Sequence, residues 1–155
     1  MTDQFLPRRA TASDAAAIRD LSRAAYAKWL PLIGREPRPM TADYVRAVIE
    51  HMIDLIEEQG QLVALIETVA QEDHLLIENV AVRPDQQGKG LGVLLLGHAE
   101  QLALAQGYPE TRLYTNVAFA SNVAFYARRG YDEYRREDIA SGGVAVFMRK
   151  ILKGR

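Results

Sequence analysis

Apolar residues recur along the chain in two periods, and the switches between them predict its elements. The spacing Ile18, Leu21, Ala25 and Trp29 is one face of a helix. Thr11 opens it, with Asp14 three residues on able to return a capping bond, and Pro31 and Gly34 stop it. Gly34 to Met40, with Pro37 and Pro39, reads as a loop, and Thr41 opens a second helix with Val45, Val48, Ile49 and Met52 on its apolar side. Ile53 and Ile56 continue the helical period while Ile53 and Leu55 equally suit a strand before Gln59-Gly60, placed at 52–57. Strands at 61–69, rich in β-branched and aliphatic residues, and at 75–82 follow, joined by the polar turn Gln71-Glu72-Asp73. A glycine-rich loop follows Arg83-Pro84-Asp85 and enters a helix carrying Leu91, Leu94, Leu95, Ala99 and Leu102 on one face, closed by Gly107. A strand at 111–117, a short helix at 122–129 closed by Gly130, and a hairpin of 131–137 with 144–151 around Gly142-Gly143 complete the pattern. The order is mixed α/β with an antiparallel start and finish, in a single domain spanning 1–155.

Composition narrows the function classes. With 48% hydrophobic and 25% charged residues the chain lies in the folded globular range. No apolar run approaches the roughly 20 residues that cross a bilayer, and the amino terminus lacks the apolar core of a signal peptide, so a cytoplasmic location and no membrane partner are expected. Nineteen basic against 20 acidic residues give no bulk attraction for nucleic acid. Cysteine is absent, which excludes disulfides, thiolate metal sites and a thioester formed on the protein. His51, His74 and His98 form no ligand-spaced pair, so no metal site is expected.

The chemistry points to Gln87-Gly88-Lys89-Gly90-Leu91-Gly92, three alternate glycines between a strand and an amphipathic helix. Glycine permits close backbone approach, and the first amides of a helix lack internal partners, so the segment is a ready site for a pyrophosphate. A P-loop requires Ser or Thr after the lysine, whereas Gly90 stands there; a dinucleotide fingerprint requires GxGxxG, whereas the glycines read GxGxG.

This loop resembles the acetyl-CoA motif of the GCN5-related N-acetyltransferases. The preceding Glu78 to Asp85 is similar to that family's fourth strand and its exit, and Asn122-Val123-Ala124-Phe125-Tyr126 with Gly130-Tyr131 to its second signature. The resemblance covers roughly Leu75 to Tyr131. It implies a mostly antiparallel central sheet splayed between strands 4 and 5, flanked by helices, with acetyl-CoA as co-substrate. The backbone of Val80, Ala81 and Val82 would pair with the pantetheine arm, and Gln87, Gly88, Lys89, Gly90, Leu91 and Gly92 would hold the pyrophosphate. Asn122 would bond the cofactor, and the Tyr126 hydroxyl would lie near the thioester sulfur as the acid. The family's first helices and fifth strand nominate Tyr26, Trp29, Tyr114 and Asn116 for the acceptor side. Family analogy also favours a homodimer.

Glu78 is the one charge in LLIENVAV, and strict alternation places it on a face with Leu76, Val80 and Val82, with Asn79 opposite in a structural role. Three readings of Glu78 stay open: base for the amine proton, anchor for a cationic acceptor, or solvated strand charge. The activity implied is acetyl transfer to a primary amine of a small molecule by direct attack. Its alternatives are a non-catalytic acyl-CoA-binding domain and a protein N-terminal or lysine acetyltransferase.

Overall fold

The computed structural model describes residues 6–140 and 142–153. Among these residues seven strands form one sheet in the order β1-β2-β3-β4-β5-β7-β6. They are β1 (Arg8–Arg9), β2 (Met52–Glu58), β3 (Gln61–Ala70), β4 (Leu75–Val82), β5 (Glu110–Asn116), β6 (Asp132–Asp138) and β7 (Val144–Ile151). Only β4 and β5 run parallel; every other neighbouring pair is antiparallel. β1 escaped the sequence pattern because two residues carry no period.

Among the described residues six α-helices flank the sheet: α1 (Ala15–Tyr26), α2 (Leu30–Ile33), α3 (Arg38–Thr41), α4 (Tyr44–Glu50), α5 (Leu91–Ala105) and α6 (Ala120–Arg128). On one face α5 buries Leu91, Leu95, Leu96 and Ala99 against Ile56, Ile66 and Leu113. On the other, α1 lays Ile18, Leu21 and Ala25 over Ile53, Leu55 and Leu65, beside Tyr44 and Ala47 of α4. Both faces of the sheet are therefore covered, which is why β3 reads as a nearly continuous apolar run from Leu62 to Ile66. Among the described residues no helix is long and apolar enough to cross a membrane.

The start of α1 follows expectation: Asp14 accepts from the Thr11 backbone N–H at 2.8 Å and is gripped by Arg8 at 2.9 Å. Two helix expectations are corrected. Pro31 does not end a helix but sits in the first turn of α2, where its missing N–H has no partner to lose. The second helix does not open at Thr41: a short α3 precedes it, and α4 is capped by Asp43, whose carboxylate accepts from the Arg46 N–H at 3.2 Å. Its buried residues are Tyr44 and Ala47, while Val45 and Ile49 are 65% and 78% exposed. Met52 belongs to β2.

Candidate active site

The site exists because one strand pairing stops. β4 and β5 pair only through Leu75–Thr111, Leu76–Arg112 and Ile77–Leu113. Beyond that point β4 stays with β3 as far as Val82, and β5 stays with β7 as far as Asn116. The inner edge of β4 from Val80 to Val82 is thus left without a strand partner, as the expected splay requires. The Val80 carbonyl lies 3.1 Å from the Tyr26 hydroxyl, whose one proton it shares with Asn79 Oδ1.

A bulge marks the parting. Glu67 pairs with Asn79 and Thr68 with Ile77, so Glu78 is one residue in excess. Ile77 packs into the core beneath α5, and Val80 and Val82 border the same core. Asn79 points the other way, donating to Ser22 and Tyr44 at 3.2 Å each and accepting from Tyr26 at 2.9 Å. Glu78 turns to that side too: its Oε2 lies 3.5 Å from the Tyr114 hydroxyl and 3.6 Å from Arg38 Nε. The extra residue reverses the alternation, so Glu78 does not share a face with Val80 and Val82 and Asn79 does not lie opposite it.

A cavity of about 740 Å³ occupies that side, lined by Tyr26, Glu78, Tyr114, Asn116, Asn122 and Tyr126 among others. Trp29 is not in its wall. It stacks on Phe119 with ring centroids 4.4 Å apart and planes at 16°, and Phe119 is the ring that meets the cavity. The hydroxyl of Tyr126, carried on α6, makes no hydrogen bond among the described residues, and burial pushes its phenol up to about 12. Burial likewise raises Tyr44 to about 12, and it raises Tyr114, whose neighbour Glu78 adds to the effect.

Among the lining residues that sequence reasoning did not place in a site are Arg35, Arg38, His51 and Glu67. Glu67 on β3 is buried, 2.6 Å from His51 Nδ1, and burial raises its carboxyl above the usual range despite that bond. It was findable, being the one carboxylate in LVALIETVA as Glu78 is in LLIENVAV. Arg35 and Arg38 come from a stretch whose prolines and glycine give no period to read.

At the far end of β4 the glycine loop takes the shape its composition suggested. Gly88 and Gly90 have φ of 79° and 89°, left-handed conformations that side chains resist. Gly90 is the N-cap of α5 with no side chain capping it, and the first helical bond runs from the Leu94 N–H to the Gly90 carbonyl at 3.1 Å. The amides of Leu91, Gly92 and Val93 are therefore without helical partners at the positive end of the dipole. Gly92 serves packing: a Cβ there would stand 3.1 Å from Phe125 Cζ, so its absence lets α6 dock on the start of α5. Gln87 donates to the Val82 carbonyl at 3.0 Å and accepts from Lys28 at 3.1 Å, while Lys89 is exposed.

Residues 16–131 match the model of the acetyltransferase (GNAT) family. The chain belongs to that family. Solved structures share its fold from end to end. The PaiA N-acetyltransferase of Thermoplasma acidophilum in complex with coenzyme A superposes with a TM-score of 0.80 at 17% identity, covering 96% of this chain and 99% of that one. The ribosomal-protein-S18-alanine N-acetyltransferase of Escherichia coli gives 0.77 at 20%, covering 97% and 95%. An IAA acetyltransferase of Bacillus cereus gives 0.74 at 18%, covering 95% and 99%. No curated protein sequence matches the chain. As a GNAT acetyltransferase the protein is an enzyme, and the two motifs that suggested the family lie on the loop entering α5 and on α6, joined by the Gly92–Phe125 contact.

Proposed function

We propose that the protein moves the acetyl group of acetyl-CoA to a primary amine of a small molecule, by direct attack within a ternary complex. The observation that carries this reading is the placement of Tyr126 and Glu78 in one cavity at the point where β4 and β5 part. The unpaired edge of Val80–Val82 suits the amides of a pantetheine arm, and the uncapped amides of α5 behind Gly88 and Gly90 suit a pyrophosphate. The same fold carries coenzyme A in the Thermoplasma relative.

In the transfer the neutral amine attacks the thioester carbonyl carbon, a C–N bond forms, and the C–S pair leaves on sulfur. The proton lost by nitrogen passes to Glu78, directly or through water. With its phenol near 12, Tyr126 is roughly three units less acidic than a thiol near 8.5, so it stabilises the departing thiolate by donating a hydrogen bond and need not surrender its proton. With no cysteine in the chain, a covalent acetyl-cysteine is impossible. Initial rates with acetyl-CoA and an amine varied together should give intersecting lines in a double-reciprocal plot. Parallel lines, or acetylated protein isolated after mixing with acetyl-CoA alone, would refute direct transfer.

A further inference from the structure

The charges that line the cavity do not all cancel, and the remainder has a definite place. Glu36 pairs with Arg23 at 2.7 Å, Glu50 with Arg46 at 2.8 Å and Glu67 with His51 at 2.6 Å. Asp43 is used as the cap of α4, and Arg38 stands 3.6 Å from Glu78. Arg35 alone of the lining cations has no carboxylate partner among the described residues; its guanidinium donates to the Gly142 carbonyl in the β6–β7 turn.

A second donor converges on the same point. A Cβ built on Gly143 would lie 3.3 Å from Asn116 Nδ2 and 3.7 Å from Arg35 Nη2, so both groups flank one turn. Asn116 Oδ1 accepts from the Ala118 N–H at 2.9 Å, which commits the oxygen and leaves the Nδ2 hydrogens as donors. Asn116 follows Tyr114 by two residues on β5, hence on the same face about 7 Å along the strand. Tyr114 in turn reaches Glu78. One wall of the cavity thus runs from a carboxylate that suits an amine to a guanidinium and an amide that suit an anion.

We propose that the acceptor is an amino acid or short peptide: a primary amine seated at Glu78, with a carboxylate a few bonds away bound by Arg35 and Asn116. This rests on the acetyltransferase reading of the cavity. The wall offers no second unpaired cation among the described residues, so one carboxylate is the complement it fits.

The test compares glycine, β-alanine, 4-aminobutyrate and glycylglycine, each with its own carboxamide, by thiol release from acetyl-CoA at equal concentrations of neutral amine. The parent should favour the acid of at least one pair by about tenfold or more in kcat/KM, the effect of a charge-assisted hydrogen bond. Arg35→Gln should abolish that preference by raising KM for the acid alone, Arg35→Lys should restore part of it, and Arg136→Gln on exposed β6 should leave it unchanged. Amides used as well as acids, or a preference that survives Arg35→Gln, overturns the proposal. Should no compound release thiol while calorimetry shows acetyl-CoA bound, the acids are titrated into the protein–coenzyme A complex. Binding lost on Arg35→Gln supports the proposal, and absence of binding overturns it. Failure to bind acetyl-CoA at all would instead remove the acetyltransferase reading, and this inference with it.

Discussion

Gly90→Ala and Gly97→Ala add the same atom to the same helix and should move the protein in opposite directions. At neither position would the new Cβ meet another atom within 4 Å, so packing is not the issue and the backbone decides. Gly97 lies inside α5, where alanine is better than glycine by about 1 kcal/mol. Gly90 stands at φ 89°, and an L side chain in the left-handed region costs about 1–2 kcal/mol. For a chain of this size 1 kcal/mol moves Tm by about 2–4 °C, so Gly97→Ala should melt a few degrees above the parent and Gly90→Ala a few degrees below it. If the altered loop relaxes out of the left-handed conformation when free, acetyl-CoA must restore it, and affinity falls by about fivefold to thirtyfold for the same 1–2 kcal/mol. Thermal unfolding and calorimetry divide the penalty between stability and binding. A Gly90→Ala protein that melts with the parent and binds acetyl-CoA as tightly would show that the loop does not depend on its left-handed glycine and does not hold the ligand.

Tyr126→Phe keeps the ring packed and removes the donor, so kcat should fall by about tenfold to a hundredfold with affinity for acetyl-CoA unchanged. Since the phenol titrates only near 12, the parent should show no loss of kcat from its ionisation below pH 10; a basic limb removed by Tyr126→Phe in that range would contradict this. Glu78→Gln should lower kcat/KM by about a hundredfold; parental kcat and KM would take Glu78 out of the chemistry. Glu67 bears on stability. Burial raises its carboxyl in the folded state, so its contribution is fully present below the unfolded value near 4.5 and is lost as pH rises through the folded value. The melting temperature of Glu67→Gln relative to the parent should therefore climb from pH 4 towards 7, and a flat difference would refute it.

What could be read from the sequence was local. The alternate glycines specify a left-handed turn into a helix whatever surrounds them, and Gly142 and Gly143, at φ 112° and 92°, specify the β6–β7 turn in the same way. The face of α4 was misread because it is set by neighbours. Val45 and Ile49 have the helical spacing, yet the helix docks through small Ala47 and through Tyr44, whose hydroxyl donates to the Pro39 carbonyl at 2.6 Å and accepts from Asn79. No propensity ranks an alanine above an isoleucine for burial; the close approach of α1 and β2 does.

The bulge at Glu78 shows why the site was only half legible. Within LLIENVAV alternation is the only information available, and it assigns each side chain a face by parity. The partner strand overrides it: β3 accommodates one residue fewer than β4 supplies between Ile77 and Asn79, and every assignment on one side of the excess residue reverses. Without the bulge, Glu78 would face the core beneath α5 with Val80 and Val82, where an ionised carboxylate has no partner and burial would be prohibitive. With it, the strand keeps Val80 and Val82 against that core while turning Glu78 towards Tyr114 and Arg38. The bulge also falls where pairing with β5 ends, so one irregularity both accompanies the opening of the cleft and supplies its carboxylate. Single-residue deletions in β4 would restore alternation at the expense of this placement, which makes the extra residue itself, and not only its side chain, part of the proposed site.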